Sequence, residues 1–310
     1  LREYEIMKNE NKTSNTLLKY LLITLLICCI ISGITGIIIG CIRNSGKKSS
    51  EDSKGNGNGY NEAAASTEDP QATTEMTTEL TTEATTEVTT EEEVDPVIVV
   101  LDPGHDSEYC TRNHPQLGMN EQDLNLTIAL ACRDRLEQYK GIKVYMTRED
   151  GSCPDPEDKG DKCIEVRTGI ATDLNADLFV AIHCNGSTGV LGDSPEGCEV
   201  YVPNYSAYTE DMTKLGNIIG NNLSSMDIKF NGVKVRTKAE KGVYDDGSTQ
   251  DWYYLISYSV EGGHPGIIIE HAYMDNTHDN EILKDENNLK KMGELDADAI
   301  AEYYGLELKQ

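Results

Sequence analysis

Val97-Ile98-Val99-Val100-Leu101-Asp102-Pro103-Gly104-His105 is the stretch that decides the fold. Five apolar, mostly β-branched residues run without polar alternation, the pattern of a strand buried on both faces of an α/β sheet. Pro103 and Gly104 end the run, so His105 falls on a loop at the strand's carboxyl end, where open α/β sheets bind ligands. Two further runs end in the same way. Ala176-Asp177-Leu178-Phe179-Val180-Ala181-Ile182 leads into His183, and Gly266-Ile267-Ile268-Ile269 leads into Glu270. Three core strands that each end in a metal- or proton-handling residue point to one active site.

A fourth chemical residue, Glu121, precedes a helical stripe of Leu124, Ile128, Ala131, Cys132, Leu136 and Tyr139. Asn120 is placed to cap that helix, with Asp123 in the capping-box position. Glu121 then sits in the first turn, where the helix dipole favours its ionised form. Two histidines and a carboxylate with a fourth position open to water form a catalytic zinc set, here His105, His183 and Glu121. Glu270 remains as general base for metal-assisted amide hydrolysis. No His-Glu-x-x-His helix is present, so the common metalloprotease layout is absent. Two alternatives stay open: His114 could replace one ligand, and Glu270 could merely orient a ligand. His271 follows Glu270 on a strand and should face the other side of the sheet in a structural role. His264 and His278 read as loop residues.

Asp102-Pro103-Gly104-His105, Glu121, Thr147-Arg148, Arg167 ahead of the His183 strand, Glu270 and Asp275-Asn276 together resemble the family 3 N-acetylmuramoyl-L-alanine amidases. The resemblance runs from about Val97 to Leu306. It implies zinc on His105, Glu121 and His183, catalysis by Glu270, and peptidoglycan as substrate, cut between N-acetylmuramic acid and the first L-alanine of the stem. A zinc peptidase acting within the stem, or a wall-binding module without turnover, are the rival functions. The chain departs from the family pattern after His105. Asp106-Ser107-Glu108-Tyr109-Cys110-Thr111-Arg112 stands where the family usually has a glycine-rich stretch, and Cys184 stands where a small residue is common.

The expected organisation has four parts. Residues 1–20 form a cytoplasmic segment with Lys8, Lys12 and Lys19, and residues 21–40 a transmembrane signal anchor, since Leu21 to Ile39 carry no charge. Ile38-Ile39-Gly40-Cys41 also resembles a lipobox, which leaves a lipoprotein anchored at Cys41, or simple secretion, as alternatives. Basic Arg43, Lys47 and Lys48 follow the span, so charge does not settle its orientation. Residues 41–95 form a disordered linker with five successive Thr-Thr-Glu tetrapeptides from Ala72 to Glu91. Residues 96–310 form the catalytic domain, placed outside the cell membrane.

The formal net charge of −27 argues against nucleic acid as a partner. Of the nine cysteines, Cys153 and Cys163 bracket a polar loop and are expected to form a disulfide in an exported protein. No Cys-x-x-Cys spacing marks a structural zinc ribbon. The element order expected for the domain is strand 97–101, helix 121–139, strand 142–147, helix 163–175, strands 178–183 and 197–202, helix 207–224, strand 266–270 and helix 290–304. Residues 232–258 give no clear pattern. Alternating strands and helices predict a three-layer α/β domain, a mostly parallel sheet covered on both faces.

Overall fold

The computed structural model describes residues 95–193 and 195–310. The expected N-terminal segment, membrane span and all but the last residue of the linker lie outside the described residues. Among those described, no helix is long and apolar enough to cross a membrane.

Among the described residues, eight strands and six α-helices follow in chain order: β1 (Val97–Pro103), β2 (Asn113–His114), β3 (Met119–Asn120), α1 (Glu121–Leu136), β4 (Ile142–Met146), α2 (Cys163–Leu174), β5 (Leu178–Asn185), β6 (Cys198–Tyr201), α3 (Thr209–Leu223), β7 (Phe230–Lys234), α4 (Tyr254–Glu261), β8 (Gly266–Tyr273), α5 (Thr277–Leu283) and α6 (Glu286–Tyr304). Six strands make one sheet in the order β4-β1-β5-β8-β6-β7, and β2 and β3 form a small hairpin. Every pair in the large sheet is parallel except β8 with β6. The sheet is therefore mixed, but mostly parallel as expected.

Side-chain alternation sorts the core into two layers. Val99 and Leu101 of β1, Leu178, Val180 and Ile182 of β5, and Ile267 and Ile269 of β8 face α1, α3 and α6. Val100, Phe179, Ala181 and Ile268 face α2 and α4 on the other side. Because both faces are covered, these strands carry no polar residue until their ends. His183 and Glu270 continue the alternation of Ala181 and Ile268, and the register sets them side by side. His271 lies on the opposite face, fully buried between the His183 carbonyl and Asp296, so its expected structural role holds.

Several local expectations need correction. α1 ends at Leu136, not 139, and Tyr139 closes the following turn by donating its N–H to the Leu136 carbonyl. Asn120 precedes α1 in extended backbone but makes no cap bond, because its side-chain amide donates to Asp123 at 2.9 Å. α6 begins four residues early, at Glu286, because the Asp285 carboxylate accepts from the Asn287 N–H and starts it there. His278 is helical, in α5, rather than in a loop. Cys153 and Cys163 are both buried free thiols and not a disulfide. Arg167 Nε donates to Cys163 Sγ at 2.9 Å and the Asp155 N–H to Cys153 Sγ at 3.4 Å, while a third thiol, Cys110, shares the same region.

Candidate active site

Glu121, the first residue of α1, gathers both histidines on one carboxylate oxygen. Its Oε1 lies 3.3 Å from His105 Nε2 and 3.1 Å from His183 Nδ1. The Cys184 N–H and the Asn125 amide each reach the same oxygen at 3.4 Å. Burial alone would raise the Glu121 pKa, but hydrogen bonds from the two imidazoles, with their charge, pull it well below the usual carboxylate range. Burial also opposes charge on His183, yet the bond to Glu121 outweighs it and the pKa rises. On His105 burial wins and the pKa falls. The three donor atoms lie within 4.8 Å of one another. An ionised carboxylate with two imidazoles at that spacing fits a zinc-type dication. His114 lines the same cavity but does not join this donor group.

The backbone that carries His105 is held in an unusual conformation. His105 has φ +61°, in the left-handed region that costs a non-glycine residue energy and clusters at functional sites. The preceding residue has to be glycine, because a Cβ on Gly104 would stand 2.2 Å from His183 Cε1. Two buried guanidinium groups fix this turn. Arg167 donates to the carbonyls of Pro103 and His105 at 2.9 and 2.8 Å and to Asp102 at 2.6 Å. Arg148 donates to the carbonyls of Pro103, Gly104 and Gln122, tying the turn to α1. Thr147 donates its hydroxyl to Asp102 as well. The Thr147-Arg148 and Arg167 motifs are therefore supports of the ligand loop and do not line the cavity.

Glu270, three residues before the end of β8, lines a cavity of about 420 Å³ together with His105, Glu121 and His183. Burial pushes its pKa up to about 7, with His183 pulling the other way. A carboxyl poised near neutral pH suits a general base. Asp275 shapes the cavity's rim: its Oδ2 accepts the backbone N–H groups of Ser187, Thr188 and Gly189 at 2.9, 2.5 and 2.8 Å.

The family model described as N-acetylmuramoyl-L-alanine amidase matches residues 99–302. The chain belongs to that family. Over 135 residues it is 33% identical to the N-acetylmuramoyl-L-alanine amidase AmiC of Escherichia coli O6:H1, a match covering 39% of this chain and 28% of that one. The CwlD amidase of Clostridioides difficile, solved in complex with the GerS lipoprotein, shares the fold with a TM-score of 0.55 at 23% identity, over 67% of this chain and 98% of that one. The amidase AmiC2 of Nostoc punctiforme has a TM-score of 0.51 at 25% identity, over 67% and 97% of the two chains.

This amidase-family site also holds a residue that the sequence reading missed. Glu199 of β6 pairs in register with Glu270 and is itself buried. Lys234, Tyr201 and Tyr273 bind its carboxylate at 2.6, 2.8 and 3.2 Å. Burial works to raise its pKa, but Lys234 and Tyr201 bring it below the ordinary value, so it stays charged beside Glu270 and helps keep that group's pKa high. The signal was a lone acid amid Cys198, Val200 and Tyr201 on a core strand.

Proposed function

We propose that the chain hydrolyses the amide bond between N-acetylmuramic acid and L-alanine in peptidoglycan, with zinc held by His105, Glu121 and His183. The observation that carries this reading is the convergence of those three donors with Glu270 on one open cavity, in a chain of the amidase family. Zinc bound there would polarise the scissile carbonyl and lower the pKa of a water towards about 7.

The chain's own groups do the rest. Glu270 takes the proton from the attacking water and returns it to the departing L-alanine amine. Glu121, held in its ionised form, would complete the zinc's protein ligands beside the two imidazoles. Arg148 and Arg167 keep the Pro103–His105 backbone from relaxing, and Asp275 holds the 187–189 loop along the cavity. The proposal extends to place: the domain works outside the cell membrane, tethered by residues 21–40 or by a lipid on Cys41, with the acidic 41–95 linker as spacer.

The test is digestion of purified peptidoglycan by the zinc-loaded full chain, followed by dinitrophenyl labelling and hydrolysis. The expected product is labelled L-alanine with glycan strands uncut. Label on another stem residue would make the enzyme a peptidase. Zinc bound with no new amino group would leave a wall-binding module.

A further inference from the structure

A second donor cluster lies behind the ligand loop and shares no residue with the first. Asp106, Cys110 and Cys163 present a carboxylate oxygen and two sulfurs within 4.8 Å of one another. The Cys153 thiol lies beside both Cys163 and the Asp106 carboxylate. These residues come from three separate segments: the loop after β1, the loop after β4, and the first residue of α2. Sheet order brings them together, since β4 and β1 are neighbours and α2 packs against β1. Sequence spacing alone does not show the cluster, because no two of these cysteines are closer than ten residues.

Asp106 points to what the cluster is for. It is fully buried, and its two oxygens have different fates. Oδ1 accepts three backbone N–H groups, from Glu108, Tyr109 and Cys110, at 2.9, 2.7 and 3.0 Å. Oδ2 meets no donor at hydrogen-bond geometry: the Arg167 guanidinium stands 3.7 Å away, and the thiols are its other neighbours. A buried carboxylate oxygen left without a partner is costly, and a bound cation would satisfy it.

We propose that Asp106, Cys110, Cys153 and Cys163 form a second, structural metal site for a thiophilic dication such as zinc. Three thiolates and a carboxylate differ from the Cys3His set of structural zinc only in the fourth donor, and zinc bonds of about 2.3 Å to sulfur put neighbouring sulfurs roughly 3.8 Å apart. Asp106, Cys110 and Cys163 meet within 4.8 Å, at most about an ångström wider, and Cys153 adjoins that group beside Cys163 and Asp106. Arg167, 2.9 Å from Cys163 Sγ, offsets part of the excess negative charge. A disulfide explains less. It would use two of three thiols, strand the third, and leave Asp106 Oδ2 as it is. The site's work would be to staple the 106–112 loop to the 151–163 loop and to α2, directly behind His105. This stretch is also where the chain departs from the glycine-rich sequence usual after the first histidine.

The test is cobalt substitution in the full-length chain with thiols kept reduced. Thiolate bound to cobalt(II) absorbs by charge transfer in the near ultraviolet, whereas two imidazoles and a carboxylate do not. The expected result is two bound equivalents and a charge-transfer band. Cys110→Ser and Cys153→Ser should each lose the band and one equivalent, and His183→Ala should lose the other equivalent while keeping the band. Two variants guard against misfolding of one. The band surviving in both serine variants would overturn the site, since the thiolate would then belong to other cysteines. So would a single equivalent with no band, or a disulfide among Cys110, Cys153 and Cys163 in peptide maps of protein recovered unreduced from cells. Each of these readouts is separate from whether the enzyme cuts peptidoglycan.

Discussion

The two donor clusters sit on either side of one turn and are built for opposite ends. His105, Glu121 and His183 face a cavity, and their side chains keep 23%, 7% and 14% of their surface open. Asp106, the residue next to His105, faces inward and is completely buried among thiols. Catalytic metal sites keep one position open and structural sites are closed, so the difference lies in exposure as much as in ligand type. Arg167 touches both clusters: its guanidinium holds the His105 carbonyl and Asp102, and its Nε reaches Cys163.

Five substitutions probe that contrast, taken in order of decreasing effect. His183→Ala should reduce turnover to background and remove the open site's metal while leaving the thiol cluster's metal bound. Elemental analysis and rate together check this, and unchanged metal content would contradict it. Gly104→Ala should come next. Its Cβ would stand 2.2 Å from the His183 ring, so the ring must move, and zinc affinity should fall by about 10- to 100-fold, as when a ligand's support is lost. A chelator-competition titration reads that directly, with wild-type affinity as the contrary result.

Arg167→Met strikes both clusters at once. It leaves Asp102 buried without its cation, and breaking a buried pair in this way costs about 3–5 kcal/mol. Urea unfolding measures it, and a loss below about 1 kcal/mol would show that the turn does not depend on the guanidinium. The smallest effect contrasts two asparagines. The Asn276 side chain caps α5 by accepting from His278 and Asp279 N–H, so Asn276→Ala should cost about 1 kcal/mol. Asn120 makes no such bond, so Asn120→Ala should stay within about 0.5 kcal/mol in the same unfolding experiment.

The open cluster was legible in the sequence and the closed one was not. β1, β5 and β8 announce themselves because each is an unbroken apolar run covered on both faces, and their chemistry stands at the run's end. Glu121 was legible because the stripe behind it has helical period. β7 had no such signal: Phe230–Lys234 is half-buried throughout and contains Asn231 and Gly232. α4 and α5 have eight and seven residues, too few for a period to stand out. The roles of Arg148, Arg167 and Asp275 depend on which carbonyls and N–H groups fold back to meet them, which spacing does not encode. The Cys153–Cys163 expectation took loop spacing as a guide to pairing and missed Cys110, which arrives from a different strand's loop.

Glu270→Gln separates the proposed general base from the metal ligands beside it. Metal content and turnover should be measured on the same zinc-loaded preparation, beside the unaltered chain. The expected result is the same zinc content with turnover reduced about 100- to 10,000-fold, the usual cost of removing a general base. A rate near that of the unaltered chain, with zinc retained, would contradict it.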